Sequence, residues 1–247
     1  MAPGATYIGT SGYVYPHWRG RFYPADLPQS RWLEFYVQQF PTVELNVTFY
    51  RLSDDAAFRG WYDRSPATFR YAVKGSRYIT HVKRLHDVTD AVRLFFKRAQ
   101  LLREKLAVVL WQLPPTFRVD LDRLERFVEL LGTHPRTRHV LEVRHPSWVI
   151  DDVRARLRKA SVALCQSDWK DCPVGDEEPT ADFVYIRRHG ADAKYHERYQ
   201  RGDLERDAAA VRAHLRRGHD AFVYFNNDAH GYAVMNALEL TQMVKDA

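Results

Sequence analysis

A chain of 247 residues with 45% hydrophobic and 28% charged content can bury a large core, which excludes a mainly disordered protein. Two cysteines, Cys165 and Cys172, with no CxxC pair, exclude a disulfide scaffold, and no apolar run approaches the roughly 18 residues of a membrane span. The net charge of +6 and a pI near 9.3 favour anionic partners over cationic ones without naming one.

The opening MAPGATYIGT shows no basic stretch followed by an apolar one, so the expectation is a cytoplasmic protein without a signal peptide. From there β-rich runs alternate with amphipathic segments. The strand candidates are TYIGT (6–10), TVELN (42–46), FRYAVK (69–74), AVVLWQ (107–112), HVLEV (139–143), VALCQ (162–166), FVYIR (183–187) and AFVYF (221–225). Between them, residues 88–105 and 119–132 space apolar residues by three and four, the signature of helices. Asp120 stands where an N-cap belongs and Gly132 where a C′ residue belongs. Residues 202–220 read the same way, with Arg216 and Arg217 where a helix dipole favours cations. The sixth crossover, WKDCPVGDEEPTADF, holds Pro173, Gly175 and Pro179 and reads as a loop or one short turn.

Eight strands alternating with helices predict an α/β fold, a single (β/α)8 TIM-type barrel over residues 1–247 with a degenerate sixth crossover helix. The alternative is an open doubly wound sheet, but no GxGxxG or P-loop pattern supports it. In a barrel, alternate side chains point inward and active sites lie at the C-terminal strand ends. On that parity the strands deliver Glu44 and Asn46, Lys74, Gln112, Glu142 and Arg144, Gln166 and Asp168, Arg187 and His189, and finally Asn226 to Asp228. Nearly every strand turns polar at one end, more than a structural ion pair needs, so a functional pocket is expected there. Glu44 lies deeper than Asn46 and reads as a structural partner of Lys74 or Arg144.

Glu142, Asp168, His81, His145 and His189 are suitable ligand types for a divalent metal. Lys74, Arg144 and Arg187 share the rim, however, and a second cation about 5 Å away costs on the order of 3 kcal/mol at an effective dielectric near 20. No HxH or HExxH spacing occurs, so no metal ligand is assigned and no cofactor is required. An anion fits better. Arg144 and Arg187 can fork around phosphate or carboxylate, with Asn46, Gln112, His81, Asn226 and Asn227 as further binding groups. Glu142, Asp168 and His189 are the candidate acid and base groups, and Lys74 is a fourth catalytic candidate that forms a Schiff base if its pKa is depressed.

The loop after the first strand, TSGYVYPHWRGRFYP (10–24), interleaves aromatics with cations. Tyr13 and Trp18 there either stack bases or sugar rings, or fold back as a small core of the loop itself.

The segments YIGTSGYVYPHWRGRFYP, VELNVTFYRL, YAVKGSRYITHVKRL, LWQLPP, LEVRHPSW, YIRRHG and YFNND together resemble the domain-of-unknown-function 72 family, also called YecE-like, along essentially the whole chain. The resemblance implies a TIM-barrel-type fold in a cytoplasmic protein and no particular reaction. The family barrel is similar in general architecture to metal-dependent barrels of the endonuclease IV and xylose isomerase group, from which the rim cations here set this chain apart. The residues favour an enzyme acting on a phosphorylated small molecule or nucleotide by acid/base chemistry, a hydrolase, lyase or isomerase. The alternatives are a nucleic-acid-binding protein or nuclease using the first loop, a metal-dependent hydrolase or isomerase, and a non-catalytic scaffold. No membrane partner is expected, and no oligomeric state follows.

Overall fold

The computed structural model describes residues 2–176, 178–190 and 197–245. Strands form at all eight predicted places: β1 (Thr6–Thr10), β2 (Thr42–Leu45), β3 (Arg70–Lys74), β4 (Leu106–Gln112) and β5 (Arg138–Glu142) in the first part of the chain. The sixth is split around Cys165 into β6 (Ala163–Leu164) and β7 (Gln166–Ser167), followed by β8 (Phe183–Arg188) and β9 (Asp220–Phe225). The helices between them are α1 (Trp32–Gln39), α2 (Val47–Tyr50), α3 (Asp55–Asp63), α4 (Thr89–Ala99), α5 (Leu121–Leu131), α6 (Asp151–Lys159), α7 (Arg201–Arg216) and α8 (Tyr232–Lys245). Between β7 and β8 the described residues form no helix, as the Pro- and Gly-rich sequence predicts. None of the described helices is long and apolar enough to cross a membrane.

The helices form where periodicity and caps agree. In α5, Leu124, Phe127, Val128 and Leu131 are buried on one face, each contributing about 1.5–3 kcal/mol by leaving water. Asp120 caps the helix, its Oδ1 accepting the Arg123 N–H at 3.0 Å. Gly132 ends it with φ −59°, so it continues the right-handed turn instead of taking the left-handed C′ role expected of it.

All strand pairs are parallel and fall into two sheets, ordered β1-β9-β8-β7 and β2-β3-β4-β5-β6. Parallel strands covered by helices must be apolar on both faces, which explains the near-continuous Val, Leu and Ile runs. Two close contacts bring the sheets together. Ser11 pairs with Glu44 in a parallel bridge, the Gly12 N–H donates to the Glu44 carbonyl at 2.8 Å, and on the far side the Cys165 N–H donates to the Leu141 carbonyl at 2.9 Å. Gly9 lets β1 approach β2, since a Cβ there would lie 2.4 Å from the Thr42 carbonyl oxygen.

Both sheets contribute to one small cluster: Ala72, Val108, Leu110, Val140, Ala163, Cys165, Phe183, Tyr185, Phe222 and Tyr224. Their other faces pack against the helices in a larger core. The alternation expected on β3, β4, β5, β8 and β9 is therefore present. The sixth strand differs: Ala163 and Cys165 join the small cluster, where the sequence parity assigns Leu164 and Gln166. The inward set is thus offset by one residue; the ladder is interrupted at Cys165, and Thr180 Oγ1 accepts the Leu164 N–H at 2.8 Å.

Candidate active site

Above the small cluster lies a layer of buried charge. Glu44, Glu142 and Arg187 are all at most 1% exposed. Arg187 lies between the two carboxylates: Nη1 donates to Glu142 Oε2 at 2.6 Å and Nη2 to Glu44 Oε1 at 2.8 Å. Ser11 Oγ and Tyr185 Oη complete the Glu44 shell, donating at 2.7 and 2.6 Å. Glu142 Oε1 accepts from Arg144 Nε at 3.0 Å and lies 3.2 Å from His189 Nε2. A carboxylate only accepts, so Nε2 carries the His189 proton, and the neutral ring takes the Asn226 amide at Nδ1, 3.2 Å away. Burial works to raise the Glu142 acid, but the Arg144 and Arg187 guanidiniums outweigh it and hold the carboxyl well below the usual carboxylate range. The same balance, with Arg187 as the main counter-charge, lowers Glu44. Burial is the main cause that lowers His189 and keeps it neutral.

A cavity of about 480 Å³ opens over this layer. Of the predicted residues it is bordered by Asn46, Lys74, His81, Gln112, Arg144, Arg187 and Asn226, drawn from both sheets. Lys74 ends β3, and its backbone carbonyl accepts Thr48 Oγ1 at 2.7 Å, which fixes the strand end under α2. Its ammonium lies 4.2 Å from the centre of the Phe49 ring, and among the described residues no carboxylate comes within ion-pair distance. Burial first, and the Arg187 guanidinium second, push the Lys74 ammonium down to about 7 against the pull of Glu142 and Glu44. Arg144 spreads its guanidinium over Trp169, 4.1 Å from the ring centre, and binds Glu142 through Nε alone. Its two terminal nitrogens have no partner among the described residues. His81 meets the same Phe49 edge-on at 4.9 Å, and burial followed by Lys74 and Arg144 lowers it to about 4. Asn46 Oδ1 and Arg187 Nε are buried without a hydrogen bond among the described residues.

The remaining predicted residues lie elsewhere. Glu142 and His189 are fully buried beneath the cavity and not on its wall. Asp168 sits behind His189, accepting its backbone N–H at 2.8 Å and the Tyr199 hydroxyl, beside a separate cavity. Asn227 is buried and donates to the Glu197 carbonyl and to Asn236 at 2.9 and 3.0 Å, tying the end of β9 to α8. Trp18 is fully buried, donates to the Asp228 carbonyl at 3.1 Å and packs on Tyr15, Phe22 and Tyr23. Tyr13 accepts the Trp61 indole N–H at 3.1 Å. Trp18 and its aromatic neighbours thus pack together within the first loop. Among the described residues no group of three or more His, Cys, Asp and Glu is placed to hold a metal.

Sequence reasoning placed Asp228 at the mouth but missed Phe49 and Tyr15 as cavity walls and Tyr185 and Ser11 as partners of Glu44. The aromatic run at 49–51 was the available signal. Nothing in one sequence pairs Tyr185 with Glu44, which are 141 positions apart.

Fold and site together define a class: α/β proteins whose parallel strands end in a buried Glu–Arg–Glu layer under a polar cavity. The chain belongs to the family described as Protein of unknown function DUF72, whose model matches residues 7–247. It is similar to the UPF0759 protein YunF of Bacillus subtilis (strain 168), 24% identical over 96% of this chain and 94% of that one. A DUF72 family protein of Thermotoga maritima MSB8 has a similar crystal structure, with a TM-score of 0.87 at 27% identity, covering 98% of this chain and 99% of the other. One from Enterococcus faecalis V583 gives a TM-score of 0.79 at 18% identity over 99% of both chains, a likeness of fold alone.

Proposed function

We propose that the chain is one domain whose two sheets close into a single eight-stranded barrel, and that the cavity at its C-terminal strand ends is the site of an enzyme. Its substrate is a phosphorylated small molecule or nucleotide, bound through the anion and turned over by acid/base chemistry. The observation that carries this reading is that Lys74 and Arg144 border one cavity, among the described residues the first without a carboxylate at ion-pair distance and the second with no partner on its terminal nitrogens. A planar fork backed by Trp169 suits a phosphate or carboxylate, and a volume near 480 Å³ suits a small ligand. An amine that titrates near neutrality supplies proton transfer, while Glu142, held ionised by its partners, orients Arg144 and His189. Arg187, bound on both sides by carboxylates, sets the depth of the site and does not fork around the ligand as its sequence position suggested.

The test is thermal unfolding at fixed low salt with sulfate, inorganic phosphate, sugar phosphates and nucleotides, on wild type and Arg144→Ala. A ligand at 100 times its Kd stabilises the fold by about 2.7 kcal/mol. A shift in wild type that Arg144→Ala loses supports the anion site. No shift from any phosphate compound, or one equal in both proteins, rejects it.

A further inference from the structure

We propose that Lys74 is a carbonyl-reactive amine: it condenses with the aldehyde or ketone of the anionic substrate to form an imine, while Arg144 holds the anion. This rests on the anion-site reading and narrows it to phosphorylated or carboxylated carbonyl compounds.

The argument begins with where the amine sits. Lys74 is 8% exposed, borders the cavity, and is placed by a strand end whose carbonyl is held by Thr48. A buried lysine ordinarily finds a carboxylate. Here Glu44 and Glu142 are close by, yet Arg187 and Arg144 take their oxygens, and the ammonium is left over the Phe49 ring at 4.2 Å. Burial and two guanidiniums favour the neutral amine with its lone pair available, the state imine formation needs, and they outweigh the Phe49 face, which by itself favours the cation. Burial and Arg187 hold the group near neutrality, with Arg144 adding to them and the two carboxylates opposing. Among the described residues Lys105, 4% exposed, contrasts with it: Lys105 donates to the Ser65 carbonyl at 2.6 Å, so its ammonium is anchored in place.

The chemistry balances without an oxidant or reductant. The Nζ lone pair attacks the carbonyl carbon, the carbonyl oxygen takes a proton, and the carbinolamine loses water to leave a carbon–nitrogen double bond. Protonated, that bond draws electrons from the adjacent carbon, so a proton or a carbon–carbon bond there can break, and hydrolysis returns the amine. His81, neutral and against the same Phe49 ring, is placed to carry the protons.

Glycolaldehyde phosphate, with cyanoborohydride to reduce the imine, tests this directly against glycolaldehyde as the anion-free control. Peptide mapping reads which of the eight lysines gains the adduct. The expected result is labelling of Lys74 at least tenfold faster than any other lysine, slowed by inorganic phosphate and tenfold weaker with glycolaldehyde. Labelling spread evenly over exposed lysines overturns the proposal. Because the wild-type map identifies the site, the test holds even if Lys74→Arg fails to fold. If phosphates stabilise wild type but not Arg144→Ala and Lys74 stays unlabelled, the imine fails and the anion site stands. If both aldehydes label Lys74 equally fast and phosphate gives no protection, the reactive amine stands and the anion site fails.

Discussion

Arg187 donates to Glu142 Oε2 at 2.6 Å, with both side chains at most 1% exposed, so each holds the other's charge in a place water cannot. Neither charge is stable there alone, and the pair ties β5 to β8 across the two sheets.

Glu142→Gln is accordingly expected to cost about 3 kcal/mol of stability, because it leaves Arg144 and Arg187 without their shared counter-charge while changing the shape little. Urea denaturation measures it. A loss under about 1 kcal/mol, the range of exposed pairs, would show that the layer is not the keystone inferred from its burial.

Lys74 gives the stability curve a definite sign. The folded group titrates near 7 and the unfolded one near 10.5, so between those values the unfolded chain binds more protons. The cost of burying the ammonium is present in full below pH 7 and is relieved as pH rises toward 10.5. Wild type should therefore gain stability relative to Lys74→Met across that window. A flat difference from pH 6 to 10 would contradict the buried, carboxylate-free setting.

Arg144→Lys should fold but bind anions about tenfold more weakly, a loss of about 1.4 kcal/mol. A lysine keeps the charge and loses both the flat contact with Trp169 and the fork. Calorimetric titration with whichever phosphate stabilises wild type decides it, and equal affinity would assign the binding to charge alone.

Trp18→Ala separates the two readings of the first loop. Removing a fully buried tryptophan is expected to destabilise by about 3–5 kcal/mol. Binding of a single-stranded oligonucleotide should not depend on it. A variant of near-normal stability with lost oligonucleotide binding would restore the stacking platform.

The strand positions and the end that carries polar groups were legible because period-two alternation survives on β3, β4, β5, β8 and β9. Depth was not. Arg144 and Arg187 look alike in sequence and both border the cavity, yet Arg187 is held between Glu44 and Glu142 through both terminal nitrogens while Arg144 meets Glu142 through Nε alone. The sixth strand misled because its inward set is Ala163 and Cys165, one residue out of step with the polar end at Gln166, and the Thr180 that binds the Leu164 N–H lies 16 positions away in sequence. Pairings such as Tyr185 with Glu44 arise from the fold alone and leave no local trace.

β1 meets β9 along five residue pairs, whereas toward β2 the backbone pairing among the described residues is the Ser11–Glu44 bridge just beyond β1, with the Gly12 N–H on the Glu44 carbonyl. Glu44 also binds Ser11 from one sheet edge and Arg187 and Tyr185 from β8. Where the amide ladder is thinnest, side-chain charge does the stitching. The line between β1 and β2 is then the natural place for the molecule to part, and protonation of one carboxylate is the trigger that would loosen it.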